Sequence, residues 1–124
     1  MTKPSILVVD DELLIRDLLY DFFTGQGWDI SVAEDGERAL EIMRSRDFDL
    51  VLTDIKMPEM DGLDLTSHVK RDHPDLPVVL MTGFPSVDTA VEALRKKVDD
   101  YVIKPFNINQ LYKLVEAKVK VREG

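Results

Sequence analysis

The sequence predicts an α/β domain built on a five-stranded parallel sheet. Short apolar runs alternate along the chain with stretches in which apolar residues recur at helical spacing. This alternation is typical of repeated βα units around a parallel sheet. Five such units can be counted, and 124 residues is an ordinary length for one domain. We therefore expect one hydrophobic core enclosed by five strands and five helices.

The five strands are predicted from apolar runs bounded by turn residues. In chain order these runs are Ile6–Val9, Ile30–Val32, Leu50–Thr53, Val78–Met81 and Tyr101–Ile103. The second run alternates apolar and polar residues, whereas the others are continuously apolar. An alternating strand has one face in solvent, so we expect the second strand at an edge of the sheet.

The helices between the strands are predicted from apolar stripes and from their end signals. Gly25 and Gly27 should end the first helix, Pro74 should follow the third, and Ser86 is a candidate N-cap of the fourth. The second helix is expected near residues 36–45. The stripes of the other four comprise Ile15, Leu18, Leu19 and Phe22; Leu65 and Val69; Val87, Ala90, Val91, Leu94 and Val98; and Ile108, Leu111, Val115 and Val119.

Composition excludes several classes of function. The chain has no cysteine, which excludes disulfides, thiolate metal sites and a thiol nucleophile. Its formal net charge of -8 argues against direct nucleic-acid binding, which requires clustered cations. No apolar run approaches the roughly 20 residues that span a bilayer, and the first residues lack a signal-peptide pattern. We therefore expect a cytoplasmic protein that does not contact membrane.

Polar residues follow four of the five predicted strands. Asp10 and Asp11 come after the first strand, Asp54 after the third, Thr82 after the fourth and Lys104 after the fifth. Parallel βα folds bind ligands at the carboxyl ends of their strands, so these side chains should meet at one rim.

Three carboxylates at one rim require positive charge, because two like charges about 4 Å apart repel by roughly 4 kcal/mol at an effective dielectric near 20. Mg²⁺ suits an all-oxygen ligand set and retains water that an incoming phosphate can displace. With Lys104 and the Thr82 hydroxyl nearby, the rim is a candidate phosphoryl-transfer site with a carboxylate nucleophile.

Three segments of the chain closely resemble the receiver domains of bacterial two-component response regulators. These are residues 6–12 (ILVVDDE), residues 54–62 (DIKMPEMDG) and residues 100–106 (DYVIKPF), together with Met81-Thr82. The resemblance covers essentially the whole chain in the right order and spacing. It implies a flavodoxin-like, doubly wound (βα)5 fold with strand order 2-1-3-4-5.

The resemblance also implies a role for each site residue. Asp54 would accept a phosphoryl group from the phosphohistidine of a sensor histidine kinase or phosphotransfer protein. Asp11, Asp54 and the backbone carbonyl of Lys56 would be Mg²⁺ ligands, and Asp10 would act through a coordinated water. Lys104 would pair with the phosphoryl oxygens. A receiver catalyses its own phosphorylation and dephosphorylation, so a separate enzyme activity is not expected.

Thr82 and Tyr101 are the switch residues that the resemblance implies. Thr82 would hydrogen-bond the phosphoryl group, and Tyr101 would change rotamer with it, altering the face of the fourth helix, fifth strand and fifth helix. That face would control a partner or an attached output domain. Transcriptional regulation is a candidate output, and a phosphorylation-dependent homodimer is a candidate assembly. Residues 1–124 would be one receiver domain, with about residues 118–124 as the candidate start of a linker to an output domain.

Two positions depart from the family pattern. Gly83 follows Thr82 where alanine is common, which should leave the site more open and alter the lifetime of the phosphoryl group. Lys97-Val98 stands where Gly-Ala is frequent before the fifth strand. This second departure removes a flexible turn residue, and nothing in the sequence assigns it a functional role.

Other functions and simpler structural interpretations stay open at this stage. A haloacid dehalogenase-type phosphohydrolase would require Asp-x-Asp-x-Thr after the first strand and a cap segment, and a flavodoxin-like cofactor module would require a neutral first loop. A degenerate receiver that acts by protein binding alone is a further alternative. Asp10 and Asp11 could simply cap a helix, Thr82 could satisfy a loop amide, and Tyr101 could serve only in packing.

Overall fold

The computed structural model describes residues 3–123, with side chains described as far as residue 120. Within that range one parallel sheet contains β1 (Ser5–Val9), β2 (Asp29–Ala33), β3 (Leu50–Asp54), β4 (Val78–Thr82) and β5 (Asp100–Ile103). The strand order is β2-β1-β3-β4-β5. The predicted α/β class, the strand order and the edge position of the second strand are confirmed.

One helix follows each strand. The helices are α1 (Leu13–Gly25), α2 (Gly36–Ser45), α3 (Gly62–Asp72), α4 (Val87–Arg95) and α5 (Ile108–Glu123). Ser86 caps α4 as predicted. Its hydroxyl oxygen accepts a hydrogen bond from the Thr89 amide, and the Thr89 hydroxyl oxygen accepts one from the Ser86 amide, which together form a capping box. Gly27 has φ 86°, a left-handed conformation that favours glycine just after a helix.

The core has two layers, one on each face of the sheet. Alternate residues of a strand point to opposite faces. On one face Leu7, Val9 and Leu80 pack with residues of α2, α3 and α4, and on the other Ile6, Val8, Leu52 and Met81 pack with α1 and α5. The buried apolar helix residues are Ala39, Leu65, Val69 and Ala93 on the first face and Leu19, Phe23, Leu111, Val115 and Val119 on the second. The predicted stripe of α5 is therefore confirmed as core.

The predicted stripe of α4 is wrong as a core face for Val87, Val91 and Leu94, whereas Val98, just beyond the end of the helix, packs against the core. Val87 and Leu94 are 79% and 76% exposed, and Val91 is also exposed. The side of α4 that packs on the core carries the small buried Ala93 instead. Sequence periodicity located the helix but misassigned its inward face, because alanine contributes little to an apolar stripe.

The α1 stripe needs a smaller correction. Leu18 is 46% exposed, and Phe23 is fully buried in its place. Residues 118–123, the candidate start of a linker, continue α5, and Gly124 lies outside the described residues. None of the helices that can be described is long and apolar enough to cross a membrane.

Candidate functional site

The carboxyl ends of β1, β3 and β5 bring three charged side chains together. Lys104 Nζ donates to Asp10 Oδ2 at 2.7 Å and lies 3.3 Å from Asp54 Oδ2. Asp10 is fully buried and Asp54 is 5% exposed. The lysine reaches them because β5 is separated from β3 only by β4, and because its own side chain is half-buried along the rim.

Asp10 is held in place from both sides. Its Oδ1 accepts the Glu12 amide at 2.9 Å, and its backbone carbonyl accepts Arg16 Nη1 at 2.7 Å. The carboxylate thus binds a backbone amide at the start of α1 with one oxygen and Lys104 with the other. Asp10 thus stabilises the loop that leads into α1 but does not cap the helix, because the amide that it accepts belongs to the N-cap residue Glu12.

Burial sets the protonation behaviour of the site. Loss of water raises the pKa of Asp54 to about 6, helped by the negative charge of Asp10, and Lys104 only partly offsets this. Burial likewise raises the pKa of Asp10. Burial alone would lower the pKa of Lys104, but its hydrogen bond to Asp10 and the charge of Asp54 raise it overall. The site holds more negative charge than one ammonium can balance.

This excess of buried carboxylate fits a hard divalent cation. Carboxylate oxygens of Asp10, Glu12 and Asp54 lie within 4.8 Å of one another. Asp11 and Lys56 line the same cavity of about 260 Å³ as Asp54. The donors are all oxygen atoms, which Mg²⁺ prefers. The structure thus gathers Asp10 and Asp54 and adds Glu12, whose Oε1 is 3.6 Å from Lys104 Nζ. Asp11 is exposed and lines the cavity without joining these three carboxylates.

Thr82 lies at the end of β4, almost fully buried beside the site. Its backbone carbonyl accepts the Lys104 amide at 2.7 Å, and its hydroxyl oxygen accepts the Phe84 amide at 3.0 Å. In that bond the hydroxyl uses a lone pair and not its hydrogen. The interpretation of Thr82 as a loop-amide partner is thus correct, and it leaves the donor function open.

Tyr101 lies outside the charged cluster, on β5. Its ring packs against the core layer on the α2 and α3 side of the sheet, and its hydroxyl lies 2.9 Å from Thr89 Oγ1 on α4. Tyr101 therefore has a packing role, in addition to its hydrogen bond with Thr89. The hydrogen bond to Thr89 connects the strand that carries Lys104 with helix α4.

Sequence reasoning missed one contact across the mouth of the site. Lys56 Nζ lies 4.8 Å from the centre of the Phe84 ring, a cation–π arrangement between the loops after β3 and β4. The available signal was the position of Phe84, two residues after Thr82, where a large apolar side chain on an exposed loop has no core to enter.

Comparison with known proteins identifies the class to which this fold and site belong. Residues 6–116 match the response regulator receiver domain family, so the chain belongs to that family and the resemblance inferred from its motifs is confirmed. Among solved structures, a CheY-like receiver domain protein from Methanospirillum hungatei JF-1 superimposes with a TM-score of 0.95 at 28% identity, covering 98% of each chain.

Among individual relatives, transcriptional regulators are prominent. The transcriptional regulatory protein ZraR of Klebsiella oxytoca is 45% identical over 88% of this chain, and the DNA-binding transcriptional regulator NtrC of Escherichia coli K12 is 40% identical over 96%. NtrX from Brucella abortus superimposes with a TM-score of 0.91 at 35% identity, over 98% of this chain and 28% of that one. The chain spans about a quarter of the length of the curated relatives.

Proposed function

We propose that this receiver domain accepts a phosphoryl group on Asp54 from the phosphohistidine of a sensor histidine kinase or a phosphotransfer protein. The observation that carries this proposal is the buried Asp54 carboxylate beside Lys104 at the open rim of the sheet. An oxygen of Asp54 attacks phosphorus, the phosphorus–nitrogen bond breaks, and the histidine nitrogen retains the bonding electrons. Because the pKa of Asp54 is about 6, its carboxylate is mostly ionised at neutral pH and can act as the nucleophile.

Three side chains prepare the site for this transfer. Lys104 is positioned to pair with the phosphoryl oxygens, since its ammonium already lies 3.3 Å from Asp54 Oδ2. Thr82 can donate its hydroxyl hydrogen to one of those oxygens. Asp10 keeps Lys104 in place through the 2.7 Å hydrogen bond.

Mg²⁺ is the cofactor that this oxygen-rich site fits. Asp11, Asp54 and the backbone carbonyl of Lys56 would hold it, with Asp10 binding through a water and Glu12 close enough to take part. A bound Mg²⁺ would neutralise charge on the phosphoryl oxygens.

Intact mass measured after incubation with a small phosphodonor and Mg²⁺ tests the proposal. The native chain should gain one phosphoryl group, and neither Asp54→Asn nor a chelator-treated sample should do so. A folded native chain that binds Mg²⁺ yet gains no mass would refute phosphoryl transfer and favour a degenerate receiver that acts by protein binding.

The phosphoryl group is proposed to change the surface formed by α4, β5 and α5. It carries roughly -1.5 to -2 charge at pH 7 and should draw the Thr82 hydroxyl towards it. Tyr101 would then break its hydrogen bond with Thr89 and adopt another rotamer. This change would alter how α4 packs against β5. Three exposed apolar side chains on this surface could be buried by a partner: Val87, Leu94 and Ile103.

Replacing Thr82 by alanine tests this switch. Thr82→Ala should still be phosphorylated on Asp54, but the NMR signals of Tyr101 and α4 should no longer shift on phosphorylation. Thr82→Ser is the matched control, because it keeps the hydroxyl that accepts the Phe84 amide. A full shift in Thr82→Ala would count against the role of this residue.

The partner of that surface is proposed from the relatives. ZraR and NtrC are named as transcriptional regulators, and the match covers a quarter of each. Residues 1–124 would accordingly act as a single receiver domain that controls a transcriptional output domain or protein, with a phosphorylation-dependent homodimer as one form of that control. The chain itself would bind neither nucleic acid nor membrane and would work in the cytoplasm.

A further inference from the structure

We infer that the groove between the C-terminal halves of α2 and α3 is a docking surface for an acidic, amphipathic helix of a partner protein. The groove is lined by Leu40, Met43 and Arg44 on the α2 side and by residues 68, 69 and 71–73 on the α3 side. The helices run back from the carboxyl ends of their strands, so the groove lies at the opposite edge of the sheet from Asp54. The inference therefore goes beyond the proposed function.

The floor of the groove is apolar. Leu40 and Met43 are half-buried and pack on the core together with the buried Val69 of α3. The cavity above them has a volume of about 390 Å³, and a second cavity of about 480 Å³ shares Met43 and His73 with it. Two joined cavities form an elongated groove between helices, which suits a helix laid along it better than a compact small molecule.

The rim of the groove is positively charged, although the formal net charge of the protein is -8. Arg44 lies on one side and Arg71 on the other. Both histidines of the chain, His68 and His73, also line the groove. Among the described residues, Asp72 is the only carboxylate that lines this cavity. Its hydrogen bond with Arg71 lowers its pKa, and the charges of His73 and His68 lower that pKa further, so the local field favours anions.

Arg44 is positioned to bind a carboxylate of the partner. Every other arginine in residues 3–120 donates to a carboxylate or a backbone carbonyl of this chain, whereas Arg44 has no such partner in that range. The helix dipole favours a cation in the last turn of α2, which accounts for the position of Arg44 but leaves its guanidinium unpaired. A carboxylate of the partner completes the pair.

Floor and rim together define the chemistry of the occupant. An acidic, amphipathic helix places carboxylates next to Arg44 and Arg71 and apolar side chains on Met43 and its neighbours. A basic helix is repelled at the rim, and nucleic acid is repelled by the net charge of the domain. Because the groove shares no lining residue with the Asp54 cavity, the partner stays bound whether or not that site is phosphorylated.

Titration of the full chain with a synthetic peptide tests the inference. The probe is an amphipathic helix of about 15 residues, long enough to populate a helix alone, with leucine on one face and glutamate along both borders. It should shift the NMR signals of the Met43 methyl group and of amides in the C-terminal halves of α2 and α3. The affinity should be the same before and after phosphorylation. Arg44→Gln should weaken binding about two- to five-fold, the loss expected for one exposed ion pair.

Arg38→Gln is the matched control. Arg38 is also exposed and lies on the same helix, but outside the groove. This variant removes the same charge from α2 and should bind the peptide with native affinity. Both variants should keep the native thermal midpoint, which separates loss of the docking contact from loss of fold.

Three results would overturn the inference: no shift at millimolar peptide, equal binding of a peptide with lysine in place of glutamate, or equal weakening by Arg38→Gln. The same shifts on addition of inorganic phosphate would also overturn it and make the groove a small-anion site. The same shifts on concentrating the chain alone would overturn it in favour of a second copy as the occupant. Phosphorylation of Asp54 is followed separately by intact mass, so its failure would leave this inference intact.

Discussion

Asp54→Asn should make the metal-free protein more stable at neutral pH, although it removes the proposed phosphoacceptor. The Asp54 side chain is buried beside Asp10, and burial and that neighbouring charge raise its pKa to about 6. A carboxyl group whose pKa is raised by folding prefers to be protonated in the folded state. Ionising it therefore opposes folding, and asparagine avoids this because it is neutral at every pH.

The magnitude follows from the two pKa values. The difference between the ordinary value of 3.8 and the folded value of about 6 corresponds to about 3 kcal/mol of unfolding free energy above pH 6. As an upper bound this would raise the thermal midpoint of a domain of this size by about 10 °C. Below pH 3.8 the carboxyl is protonated in both states, so the advantage of the amide disappears there.

Urea denaturation in the presence of a chelator, measured from pH 4 to pH 8, is the assay. The free-energy gain of Asp54→Asn over the native chain should grow as pH rises from 4 to 6 and then level off. Asp21→Asn, at an exposed position on α1, should change stability by less than about 0.5 kcal/mol at any pH. A gain that is absent at pH 8, or equal at pH 4 and pH 8, would refute the reasoning.

Three glycine-related substitutions give further predictions. Lys97 has φ 63°, so Lys97→Gly should raise the unfolding free energy by about 1 kcal/mol in urea denaturation, and a decrease would contradict this. A β-carbon on Gly62 would overlap the backbone carbonyl oxygen of Asp54, so Gly62→Ala should lose about 3 kcal/mol or more despite the better helix propensity of alanine; native stability would show that the loop yields. Gly83→Ala has room beside Lys104 and should keep its stability but lose the phosphoryl group more slowly, whereas an unchanged rate would dispose of the proposed effect of this glycine.

The strand-end residues of the site could be predicted from the sequence because topology determines where they lie. In a parallel sheet every strand of the same direction ends at the same edge, so Asp10, Asp54 and Lys104 had to meet once their strands were recognised. Glu12 could not be placed with them, since its approach to Lys104 depends on how α1 begins.

The orientation of α4 could not be predicted for a related reason. Its stripe of valine and leucine is the most regular in the chain, yet Ala93 faces the sheet. Periodicity reports that a helix has two faces, and it assigns the more apolar face to the core. Where the packed face uses small residues and polar contacts, that assignment fails, and the apolar face remains exposed.

The exposed face of α4 is consistent with a helix that is held weakly enough to be switched. Its polar connections to the rest of the domain include the Thr89 bond with Tyr101 and the hydrogen bond from Lys96 Nζ to Ser67 Oγ, at 2.7 Å. Each such bond contributes only about 0.5–1.5 kcal/mol to stability. A helix with a large apolar face in the core would need far more energy to move. The charge that a phosphoryl group adds beside Lys104 and Thr82 is large on this scale, so under the proposed function a local event at Asp54 is sufficient to reposition α4.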